Sequence, residues 1–128
     1  NLKREKFAKI YDESFKNHPG FKIPVIKEYS NSSRHLYPLL LNLEYFKIER
    51  DSFIDELKEN NIGTSVLFMP LHLHSYYKKS FGYSYGDFPI SENLFDRIIC
   101  LPISPKLGED TINKVAETIL YISEKMKK

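Results

Sequence analysis

Ile112, Val115, Ala116, Ile119 and Leu120 recur at the i, i+3, i+4, i+7, i+8 spacing of an amphipathic helix, and Gly108-Glu109-Asp110 sets acids where the helix dipole favours them. A helix with one apolar stripe has to lay that stripe on another layer, and a chain of 128 residues has room for one such core. The candidate partners are short apolar runs. His35 to Leu43, Thr64 to Phe68 and Arg97 to Leu101 each read as a strand, bounded by Ser30-Asn31-Ser32-Ser33, Pro70, Pro102 and Pro105.

Four further helices are predicted between and before these runs. Phe7, Ile10, Tyr11, Ser14 and Phe15 share a stripe that stops at Asn17-His18-Pro19-Gly20. Arg50-Asp51-Ser52 offers capping chemistry to a helix whose apolar face is Phe53, Ile54 and Leu57, with Asn60-Asn61-Ile62-Gly63 as its exit. Ser91-Glu92-Asn93-Leu94-Phe95 reads as a short capped helix, and Tyr76 to Lys79 as another short turn of helix. Phe21 to Tyr29, broken by Pro24, is an extended connector with weak strand character. The order predicts an α+β fold: a small mixed or antiparallel sheet covered by helices.

Charge narrows the partners. The 19 basic and 17 acidic residues are interleaved, which gives no clustered cationic footprint for nucleic acid. No run approaches the roughly 18 apolar residues of a membrane span, and no signal-peptide pattern follows Asn1, so the expectation is a cytoplasmic protein with no nucleic-acid or membrane partner. The missing initial Met points to a piece of a longer chain. Nine Tyr and nine Phe either fill a small core or line a surface for a planar ligand or a partner.

The candidate chemistry is sparse. His72-Leu73-His74 would put two imidazoles on one side if extended, but no third ligand follows at a useful spacing, so no metal site is predicted. Cys100, inside Ile98-Ile99-Cys100-Leu101, reads as a buried, inert thiol. Asp51, Asp55, Glu56 and Glu59 read as a solvated helix face, and Gly82 and Gly86 are followed by no phosphate-binding Gly-Lys-Ser/Thr. What remains is a polar-aromatic loop from Phe68 to Tyr77 that could touch a ligand.

Four ordered motifs then carry a resemblance. Ser32-Ser33-Arg34-His35-Leu36-Tyr37-Pro38, the stretch from Asn61 through Met69-Pro70-Leu71-His72-Leu73-His74 to Tyr77, Gly86-Asp87-Phe88-Pro89-Ile90-Ser91-Glu92, and Ile99-Cys100-Leu101-Pro102-Ile103-Ser104-Pro105 are together similar to the C-terminal small domain of the DegT/DnrJ/EryC1/StrS aminotransferases. The likeness covers residues 30–128 as the small domain, with residues 1–29 resembling the linker helix and connector from the large domain.

The resemblance implies a pyridoxal phosphate enzyme of fold type I that aminates a 4-keto sugar on a nucleotide carrier, for surface or spore-coat polysaccharide biosynthesis. It also implies that the Schiff-base lysine and the aspartate at the pyridine nitrogen belong to a large PLP domain, so this chain holds no catalytic residue, binds no cofactor by itself and is inactive alone. The implied substrate-binding residues are His72 first, then Phe68, Pro70, His74 and Tyr76. The nearest branch carries His where this chain has Leu67 and Pro where it has Ser75. A homodimer is the implied assembly. Two other readings stay open: a non-catalytic regulatory or subunit-interaction domain derived from the family, and a member that dehydrates instead of aminating.

Overall fold

The computed structural model describes residues 1–128. Helix α1 (Leu2–Phe15) leads into β1 (Phe21–Lys22) and β2 (Tyr37–Leu41); α2 (Arg50–Glu59) follows. A 3-10 turn (Leu71–Leu73), α3 (Ser75–Phe81) and α4 (Pro89–Arg97) come next, and β3 (Ile98–Leu101) and α5 (Glu109–Lys125) close the chain. The sheet runs β1-β2-β3 and is antiparallel throughout, with Phe21 opposite Leu41 and Tyr37 opposite Leu101. This is the expected α+β architecture, with the antiparallel alternative realised.

Strand β2 sits in the middle because its alternation has a use there. Tyr37, Leu39 and Leu41 are buried, while Pro38 and Leu40 between them are half-buried. The core joins these to Phe7, Tyr11 and Phe15 of α1, Phe53 and Leu57 of α2, Ile99 and Leu101 of β3, and Ile112, Val115, Ala116, Ile119 and Ile122 of α5, with the predicted Leu120 only half-buried against it. Residues on α1 thus belong to the same core as the rest. Helix α1 is pinned by polar groups as well: the Tyr37 hydroxyl donates to Asp12 at 2.7 Å, Arg34 reaches the other Asp12 oxygen at 3.1 Å, and the Tyr11 hydroxyl donates to the Pro102 carbonyl at 2.8 Å. Burial pushes both phenols up from their ordinary values, so they stay protonated as donors.

Several boundaries differ from the sequence expectations. Phe21 and Lys22 do form a strand, paired along an edge of the sheet, whereas Thr64 to Phe68 does not: only Ser65 pairs, bridging to Cys100. The chain then peels away, since Phe68 and Met69 have no buried face to alternate into. Arg50, Asp51 and Ser52 form the first turn of α2 and cap nothing; Glu49 is the N-cap residue. Helix α4 begins two residues before Ser91, with Pro89 in its first turn, where its missing N–H costs nothing.

The core predicts a sharp contrast within α5. Ile119→Ala removes a fully buried side chain and is expected to cost about 2–5 kcal/mol. Tyr121→Ala, 67% exposed, should stay within about 0.5 kcal/mol. Urea unfolding of both variants measures the difference.

Candidate functional site

Between Ile62 and Ile99 no residue belongs to the hydrophobic core. This segment must therefore find its own means of holding shape, and it does so around one carboxylate. Pro70 ends the extended stretch, the 3-10 turn places His72 inward, and Gly82 and Gly86, at φ of 70° and 98°, turn the chain back toward α4 in conformations that favour glycine. Glu92, 2% exposed on α4, accepts from both sides of the returning loop. The Gly86 amide donates to its two oxygens at 3.0 and 2.9 Å, the Phe88 amide donates at 3.2 Å, and His72 Nε2 lies 2.7 Å from Oε1.

A carboxylate that already receives two amides accepts from the ring too, so His72 Nε2 carries a hydrogen and donates it. Burial alone would raise Glu92. The amide of Gly86, the imidazole of His72 and the amide of Phe88 together outweigh it and hold the carboxyl below the usual carboxylate range. Phe88 covers the other side of His72, with ring centroids 4.7 Å apart. Beyond the turn, Arg50 donates to the Phe95 carbonyl and lies 4.9 Å over the Phe95 ring, which ties α4 to the start of α2.

Two adjoining hollows open on this segment. One of about 350 Å³ is lined by Pro70, Leu71, His72, Tyr77, Tyr83, Phe88 and Ser91. The other, about 290 Å³, shares Pro70 and Ser91 with it and is walled by Leu67, Phe68, Leu94 and Phe95. Apolar side chains on this segment stand exposed: Phe68, in the wall of one hollow, is 94% exposed, Leu71 in the wall of the other is exposed, and so are Tyr76, Phe81, Tyr85 and Ile90. So many exposed large apolar side chains on one segment suit a face that meets a ligand or another protein surface.

The five predicted substrate residues are therefore spread over this one segment, in different settings. His72 is buried, and one ring nitrogen is already engaged; Pro70 lines both hollows; Phe68 lines one. His74 is exposed and donates from Nε2 to the Met69 carbonyl at 3.2 Å, and Tyr76 is exposed at the edge of Tyr77. Because residues 71–73 form a 3-10 turn and not a strand, the two imidazoles do not share a side: His72 turns to Glu92, His74 to the backbone. Cys100 is buried and its thiol is pushed up by that burial, with a smaller opposing contribution from Ser65.

The profile of the DegT/DnrJ/EryC1/StrS aminotransferase family matches residues 1–120. The chain belongs to that family. An uncharacterized protein of Methanocaldococcus jannaschii is 50% identical over 94% of this chain, which spans 31% of that protein. The spore coat polysaccharide biosynthesis protein SpsC of Bacillus subtilis is 37% identical over 91% of the chain and 30% of its own length. Among solved structures, Helicobacter pylori PseC, an aminotransferase involved in the biosynthesis of pseudaminic acid, superposes with a TM-score of 0.87 at 27% identity, covering 98% of this chain and 33% of that one. The chain thus spans about a third of the length of its relatives.

For this aminotransferase domain, the residues that sequence reasoning passed over are Glu92, Phe88 and Tyr83, while Tyr77 was read as the end of the ligand loop. Glu92 was legible only as a helix residue; the signal for more was a carboxylate four residues after Phe88 at a helix start, the arrangement of a capping box one residue lengthened. Pyridoxal phosphate, which the family implies for the complete enzyme, requires a lysine amine and a carboxylate at its ring nitrogen. Neither hollow has a lysine in its wall, and Glu92 is already taken, so these residues do not fit the cofactor.

A carboxyl held below its ordinary range stabilises the fold above the unfolded-state value near 4.3, and that contribution disappears as the pH falls through the folded-state value. Glu92→Gln is accordingly expected to lower the melting temperature at pH 7 and to lose most of its difference from the native chain in strong acid. Calorimetric scans of both proteins from pH 7 down to pH 2.5 check this.

Proposed function

We propose that this chain is the C-terminal small domain of a pyridoxal phosphate-dependent aminotransferase that aminates a 4-keto sugar nucleotide for surface or spore-coat polysaccharide biosynthesis, and that it is inactive without the large domain. The observation that carries the reading is the family match over residues 1–120, in a chain that spans about a third of its relatives. The sugar assignment is supported by SpsC and PseC, whose names concern spore-coat polysaccharide and pseudaminic acid. The cofactor supplies the electron sink for moving the amino group, and its lysine and aspartate reside in the large domain.

In this proposal residues 1–29 are the linker helix and connector and residues 30–128 the small domain proper. The domain's own part is positioning. The hollows beside Pro70 and His72 form a wall of the active-site cleft, with Phe68 and Tyr76 as flat surfaces against the nucleotide sugar and His74 at the rim. The exposed apolar residues around them are then covered by the large domain and by a second copy in a cytoplasmic homodimer. No helix is long and apolar enough to cross a membrane.

Phe68 gives the cleanest test because its ring, 94% exposed, supports no packing. In the complete protein Phe68→Ala should leave stability within about 0.5 kcal/mol while raising KM for a keto-sugar nucleotide roughly tenfold, the equivalent of about 1.4 kcal/mol of lost contact. Steady-state kinetics with the sugar nucleotide varied, beside urea unfolding, separates the two; an unchanged KM would remove Phe68 from the substrate wall. This chain alone should show no transamination, and mixing it with the separately produced large domain should restore it.

A further inference from the structure

Glu92 stands out among the acidic residues of the chain as the one that is buried, with Gly86, Phe88 and His72 all donating to it. A loop could be closed by the two amides alone, and the imidazole adds something the amides do not: a ring with two distinct nitrogens whose hydrogen is directed by its partner. With Nε2 donating to Glu92, the neutral ring has its lone pair on Nδ1. That atom has no partner within the protein. Nor is it sealed off, since Thr64 Oγ1 is the sole side-chain polar atom both enclosed and unpaired. His72 lines the larger hollow, so the free nitrogen is the polar group the ring has left for whatever enters there.

We propose that Glu92 is a positioning residue that fixes His72 as the Nε2–H tautomer, so that the neutral ring offers the hollow a hydrogen-bond acceptor suited to a ligand hydroxyl and unsuited to a phosphate oxygen. An ionised phosphate oxygen can only accept, and facing the Nδ1 lone pair it would be repelled. A sugar hydroxyl donates to the same atom without any change of protonation. The tautomer half of the inference rests on geometry alone. The ligand half rests on the proposed function, and it commits the His72 contact to the sugar or ribose hydroxyls of the nucleotide sugar and not to its diphosphate.

Truncation of the acceptor distinguishes direction from mere support. His72 Nε2, the Phe88 amide and the Gly86 amide all meet Glu92 Oε1, and Oε2 receives the Gly86 amide. Glu92→Gln with its carbonyl in the place of Oε1 therefore still accepts from Nε2, whereas Glu92→Ala leaves Nε2 without an acceptor and the ring hydrogen free to redistribute between the two nitrogens. Nitrogen-15 NMR of the histidine side chains at pH 8, a pH at which an ordinary imidazole is neutral, reads this directly. The native chain and Glu92→Gln are expected to show a pyrrole-type Nε2 and a pyridine-type Nδ1 at His72, and Glu92→Ala averaged signals. A pyrrole-type Nδ1 in the native chain overturns the proposal even if the variants fail to fold; a folded Glu92→Ala with the native tautomer overturns it too. In the complete protein, Glu92→Ala should raise KM for the keto-sugar nucleotide several-fold with kcat changed less. An unchanged KM with a lost tautomer preference would refute the ligand half and the placement of His72 against substrate, while leaving the tautomer assignment intact.

Discussion

The buried carboxylate of Glu92 is what the functional segment depends on. Between Ile62 and Ile99 the chain has no share in the hydrophobic core, yet it follows a defined path through a 3-10 turn, two short helices and two glycine turns. Apolar burial cannot enforce that path, since much of the apolar surface there is exposed. A carboxylate that receives two backbone amides and an imidazole can, because breaking any one contact leaves a buried charge less compensated. The same contacts that close the loop also hold its carboxyl ionised at neutral pH.

The rest of the domain is a frame for that segment. The Tyr37, Leu39 and Leu41 side of β2 and the apolar faces of α1, α2 and α5 make one continuous core, and α2 delivers and β3 receives the excursion at fixed points. Ser65 bridges to Cys100 at its start, and Arg50 reaches the Phe95 carbonyl near its end. Between those anchors the rings of Tyr77, Phe81, Tyr83 and Phe88 pack on one another and on His72, while Phe68 stands exposed, which suits a surface proposed to meet a substrate and a second domain.

Much of this was legible in the residues themselves. The stripe of α5, the first helix, the central strand and the antiparallel option all follow from period and punctuation, because each element buries a pattern that is local in the chain. The five candidate substrate residues were found by resemblance and do lie on one segment. The failures have local causes: Thr64 to Phe68 has strand composition but only one residue within reach of a partner, and Ser91 has capping chemistry but sits behind Pro89, which had already started the helix.

By itself, the sequence determined the α+β class, the core faces of its long helices and the family, since periodicity and ordered motifs are properties of neighbouring residues. Only the tertiary structure decided what His72 does. Its partner lies twenty residues away on another helix, and no spacing rule brings the two together. That contact settles which ring nitrogen is engaged and which is free, because a hydrogen bond between side chains depends on distance in space, and the loop that creates the distance is closed by Glu92 itself.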